Sequence, residues 1–410
     1  MKSMFFFLPT LPATMEERRT LRPIANDPER WQRMIQEVVE VSQLAEEVGF
    51  DAVCFPEHHL HSEGIEIGSL PVLTQHVIHN TKRIKVGPIG YVLPGWNPLR
   101  LALEIAWLDQ LTKGRTFVGF ARGYQTRWLN QMAQKIHVGA TASDKSEGDR
   151  VNREAFEEVF RFLKLAWGDE PFRFKGKHYE YPYPQEGTPW AAHEWTREYG
   201  FPGEVDDQGR IQMINVVPKP YQRPHPPLFQ AFSISEETVR WCARESITPT
   251  ILISQPPQVR KLVEAYKEEA EKAGRTVKLG ENVGVLRAFY FAENKEKARI
   301  LADQGICGVA FRKFFYHFGF FEAWREPADE AKYPSGKMML PAEECNVPRM
   351  ERADFTYLGN PDDIKRSMDA MVENVHPEWL VWQGDQGFLP IDEVKRQVEM
   401  YGKHIIPRYK

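Results

Sequence analysis

Apolar residues recur at alternating spacings of three and four after residue 26, as expected for one stripe on a helix. The stripe consists of Trp31, Met34, Val38, Val41, Ala45 and Val48. Residues 26–28, Asn-Asp-Pro, are typical of a helix start, and Gly49 stands where a C-terminal cap is expected. Residues 50–55 are short and largely apolar, which predicts a buried parallel strand after the helix.

The alternation of helical and strand patterns continues to the C-terminus. Helices are predicted over 69–80, from Asn97 to Gly114, and over 150–167, 235–245, 257–273, from 294, over 361–374 and from Pro390. Strands are predicted near residues 5, 52, 85, 117, 229, 250, 287 and 380. Eight β-α units indicate an α/β fold of the (β/α)8 TIM-barrel type. An open doubly wound sheet is the alternative, because one sequence does not reveal strand order.

Two long gaps interrupt this repeat, at about 168–227 and 311–357. Both are rich in aromatic residues, proline and charge, which is typical of ordered insertions rather than of flexible Gly/Ser linkers. Within the first gap, residues 172–179 alternate as in a small hairpin. We therefore expect a single barrel domain over 1–410, with two insertions at the C-terminal face of the barrel.

Composition narrows the class of protein. The 53 basic and 57 acidic residues give a net charge of −4, which argues against a generally basic nucleic-acid surface. The four cysteines lie far apart without a C-x-x-C pair, so neither a disulfide scaffold nor a zinc site of usual spacing is expected. The apolar run Met4–Leu8 is too short for a signal peptide, and no stretch approaches the ~20 apolar residues of a membrane span. These features predict a cytoplasmic enzyme.

The segment Glu57-His58-His59-Leu60-His61 follows the second predicted strand, where barrel enzymes place their chemistry. A histidine there can act as an acid, a base or a hydrogen-bond donor near neutral pH. Histidine and carboxylate are also metal ligands, so a metal site is a second interpretation. The third is that these side chains only satisfy buried polar groups. Adjacent strand residues point to opposite faces, so His58 and His59 should not both face one pocket if the strand continues through them.

Two further segments could bind an anion. Ser235 and Thr238 open a helix, whose free N–H groups attract phosphate, although Ser235 is also an ordinary N-cap. Arg122 and Gly123 follow the fourth strand; the pair could clamp a phosphate, or the arginine could bridge to a carboxylate. A Rossmann site is not supported, since no G-x-G-x-x-G follows a strand.

Several segments, taken in order, carry a resemblance to a known family. They are 45–53 running into Glu57-His58-His59, 86–94 with 97–100, 108–115, Gly119-Phe120-Ala121-Arg122-Gly123, 175–179, 218–220, 224–227 and 358–361. Together they resemble the bacterial-luciferase-like family of flavin-dependent monooxygenases. This resemblance implies a (β/α)8 barrel that binds reduced FMN and lets O2 form a C4a-peroxyflavin, which oxygenates a small organic substrate.

The resemblance also implies roles for individual residues. His58 would lie beside the flavin ring as the catalytic residue, and Arg122 with Ser235 and Thr238 would hold the phosphate. Ile89–Gly90 would be a non-prolyl cis peptide under the ring. Trp96, Tyr124 and Trp128 are candidate pocket walls, with plain packing as the alternative. The resemblance further implies a separate flavin reductase as partner and a homo-oligomer. From the charge balance and the short apolar stretches we expect neither a nucleic-acid nor a membrane partner, and no metal is expected.

The chain also departs from the luciferase pattern. Ile234 replaces an acidic residue before Ser235, and 232–235 look more like the ketone- and terpene-oxidising branch. Residues 185–215 have no luciferase counterpart, so light emission is not expected. Three other functions stay open: an F420-dependent oxidoreductase on the same barrel, a metal hydrolase using Glu57, His59 and His61, and a non-catalytic flavin-binding protein.

Overall fold

The computed structural model describes residues 1–65, 69–141, 143–334 and 339–410. The strands in this part of the chain are β1 (Lys2–Phe6), β2 (Ala52–Phe55), β3 (Lys85–Pro88), β4 (Tyr91–Val92), β5 (Val118–Ala121), β6 (Phe174–Lys175), β7 (Glu180–Tyr181), β8 (Thr188–Pro189), β9 (Arg210–Ile211), β10 (Leu228–Ser233), β11 (Thr248–Ile251), β12 (Gly284–Phe291), β13 (Thr356–Gly359) and β14 (Trp379–Gln383). The helices are α1 (Met15–Thr20), α2 (Pro28–Val48), α3 (Leu70–His79), α4 (Pro98–Thr112), α5 (Thr126–Met132), α6 (Glu147–Trp167), α7 (His193–Tyr199), α8 (Glu236–Arg244), α9 (Pro256–Lys272), α10 (Lys295–Gln304), α11 (Asp329–Lys332), α12 (Val347–Arg352), α13 (Pro361–Val375), α14 (Ile391–His404) and α15 (Ile406–Tyr409). Every helix and strand predicted from the sequence is present, with ends shifted by a few residues.

The central sheet is a nearly closed α/β barrel. Its strands follow the order β3-β2-β1-β14-β12-β11-β10-β5-β4, and the pairs that join β3 through to β5 are parallel. The eight strands from β3 to β5 are those predicted from the sequence. The (β/α)8 prediction is therefore confirmed, and the alternative of an open doubly wound sheet is not found.

Helix α2 shows how local sequence sets one of these units. The Asp27 carboxylate accepts hydrogen bonds from the backbone N–H groups of Glu29 and Arg30 and caps the helix start. Gly49 ends the helix with φ 102°, a conformation that glycine adopts without a steric penalty. The stripe between these ends is buried at Met34, Val38, Val41 and Ala45, which anchors the helix against the barrel.

The backbones of β3 and β5 approach each other closely. A Cβ atom at Gly87 would lie 2.2 Å from the carbonyl oxygen of Phe117, and one at Gly90 would lie 2.2 Å from the carbonyl carbon of Gly119. A Cβ atom at Gly119 would lie 2.5 Å from the carbonyl oxygen of Pro88. These neighbours are backbone atoms, which no rotamer change can move away. Glycine is therefore required at all three positions, which we call the glycine seam.

Strand β13 was not predicted, because it lies at the end of the gap at 311–357. It pairs in parallel with the second half of β12, from Ala288 opposite Thr356 to Phe291 opposite Gly359. Just before this pairing, the fully buried Arg287 lies 3.6 Å from the Asp354 carboxylate. Burial raises the pKa of Asp354, and the arginine opposes that effect. The gap therefore ends in a strand that is attached to the barrel.

Arg349 links several segments of the gap at 311–357. Residues 335–338 of this gap lie outside the described residues. Its guanidinium binds the Asp329 carboxylate with two nitrogens, at 2.5 and 3.1 Å, and the Glu344 carboxylate at 3.0 Å. It also donates to the carbonyl oxygen of Trp324 at 3.4 Å. Hydrogen bonding to this arginine lowers the pKa of Asp329. Because Arg349 is 1% exposed, its charge depends on these partners.

The chain folds into two compact units. The first comprises Met1–Tyr91, Phe117–Phe120 and Pro227–Lys410, and it contains the barrel strands. The second comprises Val92–Thr116 and Ala121–Pro226. It contains helices α4 to α7 and two antiparallel strand pairs, β6 with β7 and β8 with β9. The hairpin predicted at 172–179 is present as β6 and β7, but its second strand, Glu180–Tyr181, lies just beyond the predicted range.

Two properties of the described residues bear on the expected class of protein. None of the helices in the described ranges is both long and apolar enough to cross a membrane. The four cysteines, Cys54, Cys242, Cys307 and Cys345, are all buried free thiols.

Candidate active site

The loop after β2 brings two of its three histidines to one side. Leu60 adopts φ 65°, and this left-handed residue reverses the chain between His58 and His61. The two imidazoles are buried, and their ring centroids lie 6.2 Å apart. His59 instead places Nε2 at 3.0 Å from Glu57 Oε1. Because β2 ends at Phe55, the strand alternation that would separate His58 from His59 does not reach these residues. The ring that lies beside His58 is that of His61.

The surroundings of His58 keep its imidazole neutral. Burial lowers the pKa of His58 well below its usual value, and nearby His61 and His59 lower it further. A neutral imidazole has one nitrogen that donates a hydrogen bond and one that accepts it. At neutral pH the His58 ring can therefore hold a hydrogen bond to a ligand, whereas burial disfavours its protonated form. Its role as the catalytic residue stays a prediction.

Phenylalanine rings enclose this histidine pair. They belong to residues 311–324, which we call the aromatic segment and which continues from a π-helical turn at Cys307–Phe311. The Phe315 ring centroid lies 6.5 Å from that of His58, and the Phe314 centroid lies 5.4 Å from that of His61. The two imidazoles are buried beside these rings, and burial in apolar surroundings strengthens any electrostatic interaction there.

The aromatic segment also reaches the end of β10. Phe320 lies 6.5 Å from Phe232, whose ring in turn lies 5.2 Å from Phe6 of β1. Phe232 has φ 42°, and the pairing of β10 with β11 shifts register there. The next residue, Ser233, is 1% exposed, and its Oγ has no hydrogen-bond partner among the described residues. A buried hydroxyl without a partner is costly, so it fits a polar ligand group.

The predicted phosphate-binding residues lie at the start of helix α8, where Ser235 precedes the first residue and Thr238 belongs to the first turn. Ser235 Oγ accepts a hydrogen bond from the Thr238 N–H at 3.3 Å and donates one to Thr238 Oγ1 at 3.0 Å. Ser235 is thus the N-cap of α8, which was the alternative to phosphate binding in the sequence analysis. The same two hydroxyls lie at a helix start, where anions bind. Their assignment to phosphate stays a prediction.

Arg122 belongs to the second unit, whereas Ser235 and Thr238 belong to the first. Its guanidinium donates to the carbonyl oxygen of Asp149 at 2.8 Å and also contacts the carboxylate of that residue. Burial would raise the pKa of Asp149, but hydrogen bonds from Thr141 and Arg122 lower it. Arg122 therefore forms the bridge to a carboxylate that was considered as the alternative. The role of Arg122 in binding phosphate stays a prediction.

Of the remaining predicted cofactor residues, Ile89, Gly90 and Gly123, the two glycines have identifiable packing roles. The Ile89–Gly90 peptide is cis, as expected. Gly123 has φ 83°, and a Cβ atom there would lie 2.5 Å from Val92 and 2.6 Å from Leu129. These close contacts explain why glycine occupies these positions without a cofactor, so flavin binding by this set stays a prediction.

Trp128 is the clearest of the three candidate pocket walls. It is 1% exposed within a hydrophobic cluster, and its Nε1 donates to Gln125 Oε1 at 3.0 Å. This is the plain-packing alternative. Trp96 and Tyr124 are only partly buried, and their role as pocket walls stays a prediction.

The described residues give little support to the interpretation of the loop after β2 as a metal site. Within the described ranges, no three or more His, Cys, Asp or Glu side chains form a group that could hold a metal ion. Of the residues named for a hydrolase, His59 is paired with Glu57, while His61 places Nδ1 at 3.5 Å from Glu63.

Asp385, just after β14, holds the start of the π-helical turn. Its Oδ2 accepts the Ile306 N–H at 2.6 Å, and its Oδ1 accepts the Leu389 N–H at 3.1 Å. Burial raises the pKa of Asp385 to about 6, although these backbone hydrogen bonds oppose the change. The Asp385 carboxyl group, whose pKa burial raises, therefore attaches the start of the turn that precedes the aromatic segment to the barrel.

We expect Asp385 to make the protein less stable as pH rises from 4 to 7. The unfolded carboxyl loses its proton near pH 4, whereas the folded one keeps it until about pH 6, so the stabilising contribution is present below pH 4 and lost through pH 6. Two pKa units correspond to roughly 3 kcal/mol. Urea unfolding of wild type and Asp385→Asn at both pH values measures this, because the variant lacks this fall. Asp207→Asn changes an exposed residue and should lose as much stability as wild type between pH 4 and pH 7. If Asp385→Asn loses as much stability as wild type, the pH dependence does not come from Asp385.

Solved structures with similar folds cover essentially the whole chain. The oxygenating constituent of 3,6-diketocamphane monooxygenase from Pseudomonas putida, a type II Baeyer–Villiger monooxygenase in complex with FMN, superposes with a TM-score of 0.70 at 20% identity, covering 100% of this chain and 99% of that one. An F420-dependent secondary alcohol dehydrogenase gives a TM-score of 0.62 at 13% identity, with 100% of both chains covered. At these identities the likeness concerns the fold alone.

Sequence relatives narrow the family. The 3,6-diketocamphane 1,6-monooxygenase of Pseudomonas putida is 24% identical over 337 residues, covering 80% of each chain. The oxygenase component of the flavin-dependent trigonelline monooxygenase of Acinetobacter baylyi is 22% identical over 389 residues, covering 94% of this chain and 92% of that one. The model of the luciferase-like monooxygenase family matches residues 4–375. The chain therefore belongs to the luciferase-like monooxygenases, a family with flavin-dependent members.

Proposed function

We propose that this protein is the oxygenase component of a two-component monooxygenase that uses reduced FMN and O2 to oxygenate a small organic substrate. The observation that carries the proposal is the buried, neutral His58 at the end of a barrel strand, enclosed by the aromatic segment. The trigonelline relative is named as an oxygenase component, which supports a separate reductase as partner. A homo-oligomer stays a prediction.

The residues at the end of β10 fit a flavin. The buried Ser233 hydroxyl lacks a partner among the described residues, and the Ser235 and Thr238 hydroxyls lie at the start of α8. These groups would bind polar parts of FMN, with Ser235 and Thr238 holding the phosphate. When bound, reduced FMN supplies two electrons to O2, so that one oxygen atom enters the substrate and the other leaves as water.

His58 would move the proton that this chemistry requires. Its neutral ring can accept a proton at one nitrogen while the other holds a hydrogen bond. The Phe315 ring beside it keeps water away, and water would otherwise divert reduced oxygen to hydrogen peroxide. The protein thus contributes orientation, proton transfer and exclusion of solvent.

Oxygen uptake tests this function directly. The purified protein is combined with a generic flavin reductase, NADH and FMN, and ketones, terpenes and N-heteroaromatic acids are added in turn. We expect a substrate that raises oxygen consumption and lowers the yield of hydrogen peroxide. The F420-dependent neighbour supports one other candidate function, that of an F420-dependent oxidoreductase. Tight binding of F420, with hydride transfer and without oxygen uptake, would favour that function over monooxygenation.

We expect Thr238→Val to weaken FMN binding about tenfold, the usual contribution of one hydrogen bond to a charged group. The substitution removes the hydroxyl but keeps the shape of the side chain and the Ser235 cap. Riboflavin lacks the phosphate, so its affinity should hardly change. Fluorescence titrations with both ligands measure the difference.

Arg122→Ala extends the same comparison to the second unit. A selective loss of FMN over riboflavin, of roughly 1.5–3 kcal/mol, is expected if Arg122 also binds the phosphate. Equal affinities before and after the change would restrict Arg122 to its bridge with Asp149. If Thr238→Val weakens the binding of FMN and riboflavin equally, the phosphate does not bind at the start of α8.

A further inference from the structure

We propose that Arg18 is a positioning residue, which holds the loop after β2 and thereby the His58 and His61 rings in the arrangement that the chemistry requires. This inference rests on the proposed function, in which His58 is the catalytic residue. Arg18 lies on α1, between β1 and α2, and the sequence alone did not single it out.

The Arg18 guanidinium joins two loops at the same end of the barrel. Its Nη2 donates to the carbonyl oxygen of Leu11 at 2.7 Å, in the loop after β1. Its Nη1 donates to the carbonyl oxygens of Glu63 at 2.9 Å and Gly64 at 3.3 Å, in the loop after β2. Because β1 and β2 are parallel neighbours, both loops begin at the C-terminal ends of their strands. One side chain therefore sets the spacing between the two loops.

The Arg18 charge is buried without a carboxylate partner. The residue is 9% exposed, and among the described residues its guanidinium contacts only carbonyl oxygens and one aromatic ring. Its Nε has no hydrogen-bond partner in the described ranges. Burial lowers the pKa of Arg18 to about 10, because a buried charge without a counter-charge is costly. An apolar side chain would fill this volume at lower cost, but it lacks the planar fork of donors that reaches three carbonyl oxygens.

The backbone that Arg18 holds is the turn that follows His61. The Gly64 N–H donates to the carbonyl oxygen of His61 at 3.0 Å, which closes the turn. The Gly64 carbonyl oxygen also accepts the Leu11 N–H at 2.9 Å. The ring of His61 lies beside that of His58, with 6.2 Å between the centroids. Displacement of the turn would therefore move the ring that lies next to the proposed catalytic residue.

Arg18 also contacts the loop after β14. Its Cζ lies 5.3 Å from the centroid of the Phe388 ring, a distance typical of a cation–π interaction. The same loop is tied to the loop after β1, since Gln386 Oε1 accepts the Thr10 N–H at 2.7 Å. Three loops at the C-terminal face of the barrel thus meet at one guanidinium.

Arg30 offers a matched control in the same region. Its Nη1 donates to the carbonyl oxygen of Pro12 at 2.7 Å, also in the loop after β1. Unlike Arg18, it is paired with carboxylates, those of Glu17 at 2.9 Å and Asp27 at 3.3 Å. None of its hydrogen bonds within the described part of the chain reaches the loop after β2. Arg30→Met should therefore disturb the loop after β1 without moving the histidine pair.

Histidine NMR tests the positioning role without any flavin. In protein labelled with 15N-histidine, Arg18→Met should shift the ring-nitrogen resonances of both His58 and His61. The resonances of His79, an exposed residue on α3, should stay at their wild-type positions. Arg30→Met should leave all three histidines unchanged. Wild-type resonances of His58 and His61 in Arg18→Met would overturn the proposal, as would equal shifts of these resonances in Arg30→Met.

Turnover separates the positioning role from the proposed function. With a coupled substrate, Arg18→Met should lose about 10- to 100-fold in kcat, because a displacement of about 1 Å can cost about 100-fold. Its affinity for FMN should not change, since the start of α8 is untouched. Arg18→Lys keeps a donor to the carbonyl oxygens and should lose less, and Arg30→Met should keep its kcat within about twofold of wild type.

The possible failures have different signatures. Wild-type kcat in Arg18→Met would reject the positioning role and leave the monooxygenase proposal intact. Failure of wild type to oxygenate any substrate would reject the function, while the histidine resonances still decide whether Arg18 positions the loop. Should Arg18→Met not fold, Arg18→Gln is measured in its place with the same expected results, because it removes the charge and two of the three nitrogen donors.

Discussion

His58→Asn should lose most of its product formation, by about 100- to 10,000-fold, while keeping its affinity for reduced FMN. The range is the usual contribution of a positioned acid or base. Asparagine is preferred to alanine because His58 is buried and alanine would leave a cavity. Without the imidazole, the two electrons of the reduced flavin should reduce O2 to hydrogen peroxide instead of supporting product formation. Product and peroxide yields, with the melting temperature of the same preparation, measure the effect.

The neighbouring His59 provides the control for this variant. It lies on the same loop but faces Glu57, so His59→Asn should keep oxygen coupled to product. If His58 only filled space, His58→Asn would melt at a lower temperature and still couple oxygen to product normally. That result would assign the chemistry to another residue.

Arg349→Met should lower the free energy of unfolding by about 3–5 kcal/mol, the usual cost of removing one partner from a buried ion pair. Asp329 would then keep a buried carboxylate without its two-nitrogen partner. The hydrogen bond to Trp324 at the end of the aromatic segment would also be lost. Denaturant unfolding at pH 7 measures the change, and added salt should alter it little because the pair is buried.

A double variant distinguishes the ion pair from a simple packing defect. Asp329→Asn removes the charge that Arg349→Met leaves behind, so the double variant should recover part of the lost stability. Arg352→Met is a matched single control, since Arg352 pairs with Glu326 at the surface and should cost at most about 1 kcal/mol. Strict additivity of Arg349→Met and Asp329→Asn would contradict the coupling.

The barrel could be predicted from the sequence because each unit carries its own signals. The stripe of α2 lies between Asp27 and Gly49, whose caps act within a few residues. Strand β13 could not be predicted in this way. Its four residues pair with the far half of β12, and their attachment depends on Arg287 and Asp354, which are distant in the sequence.

The candidate site was only partly predictable for the same reason. Position after a strand selected the run from Glu57 to His61, and the resemblance to luciferase-like monooxygenases selected His58 within it. The pairing with His61 depends on the backbone conformation of Leu60, a residue type that gives no sign of a left-handed turn. The partner of Arg122, Asp149, is 27 residues away. The aromatic cluster at 311–324 is visible as composition, but only tertiary contacts show that Phe315 lies against His58.

The glycine seam limits what mutational scanning can reveal about this enzyme. Gly87, Gly90 and Gly119 should tolerate no substitution, even by alanine, because a Cβ atom at each would overlap backbone atoms. In an activity screen, such intolerance has the same profile as that of a catalytic position. Inactivation of Gly90→Ala would therefore not identify a flavin contact. During evolution the seam can be altered only by coordinated change in both strands, so β3 and β5 should diverge together.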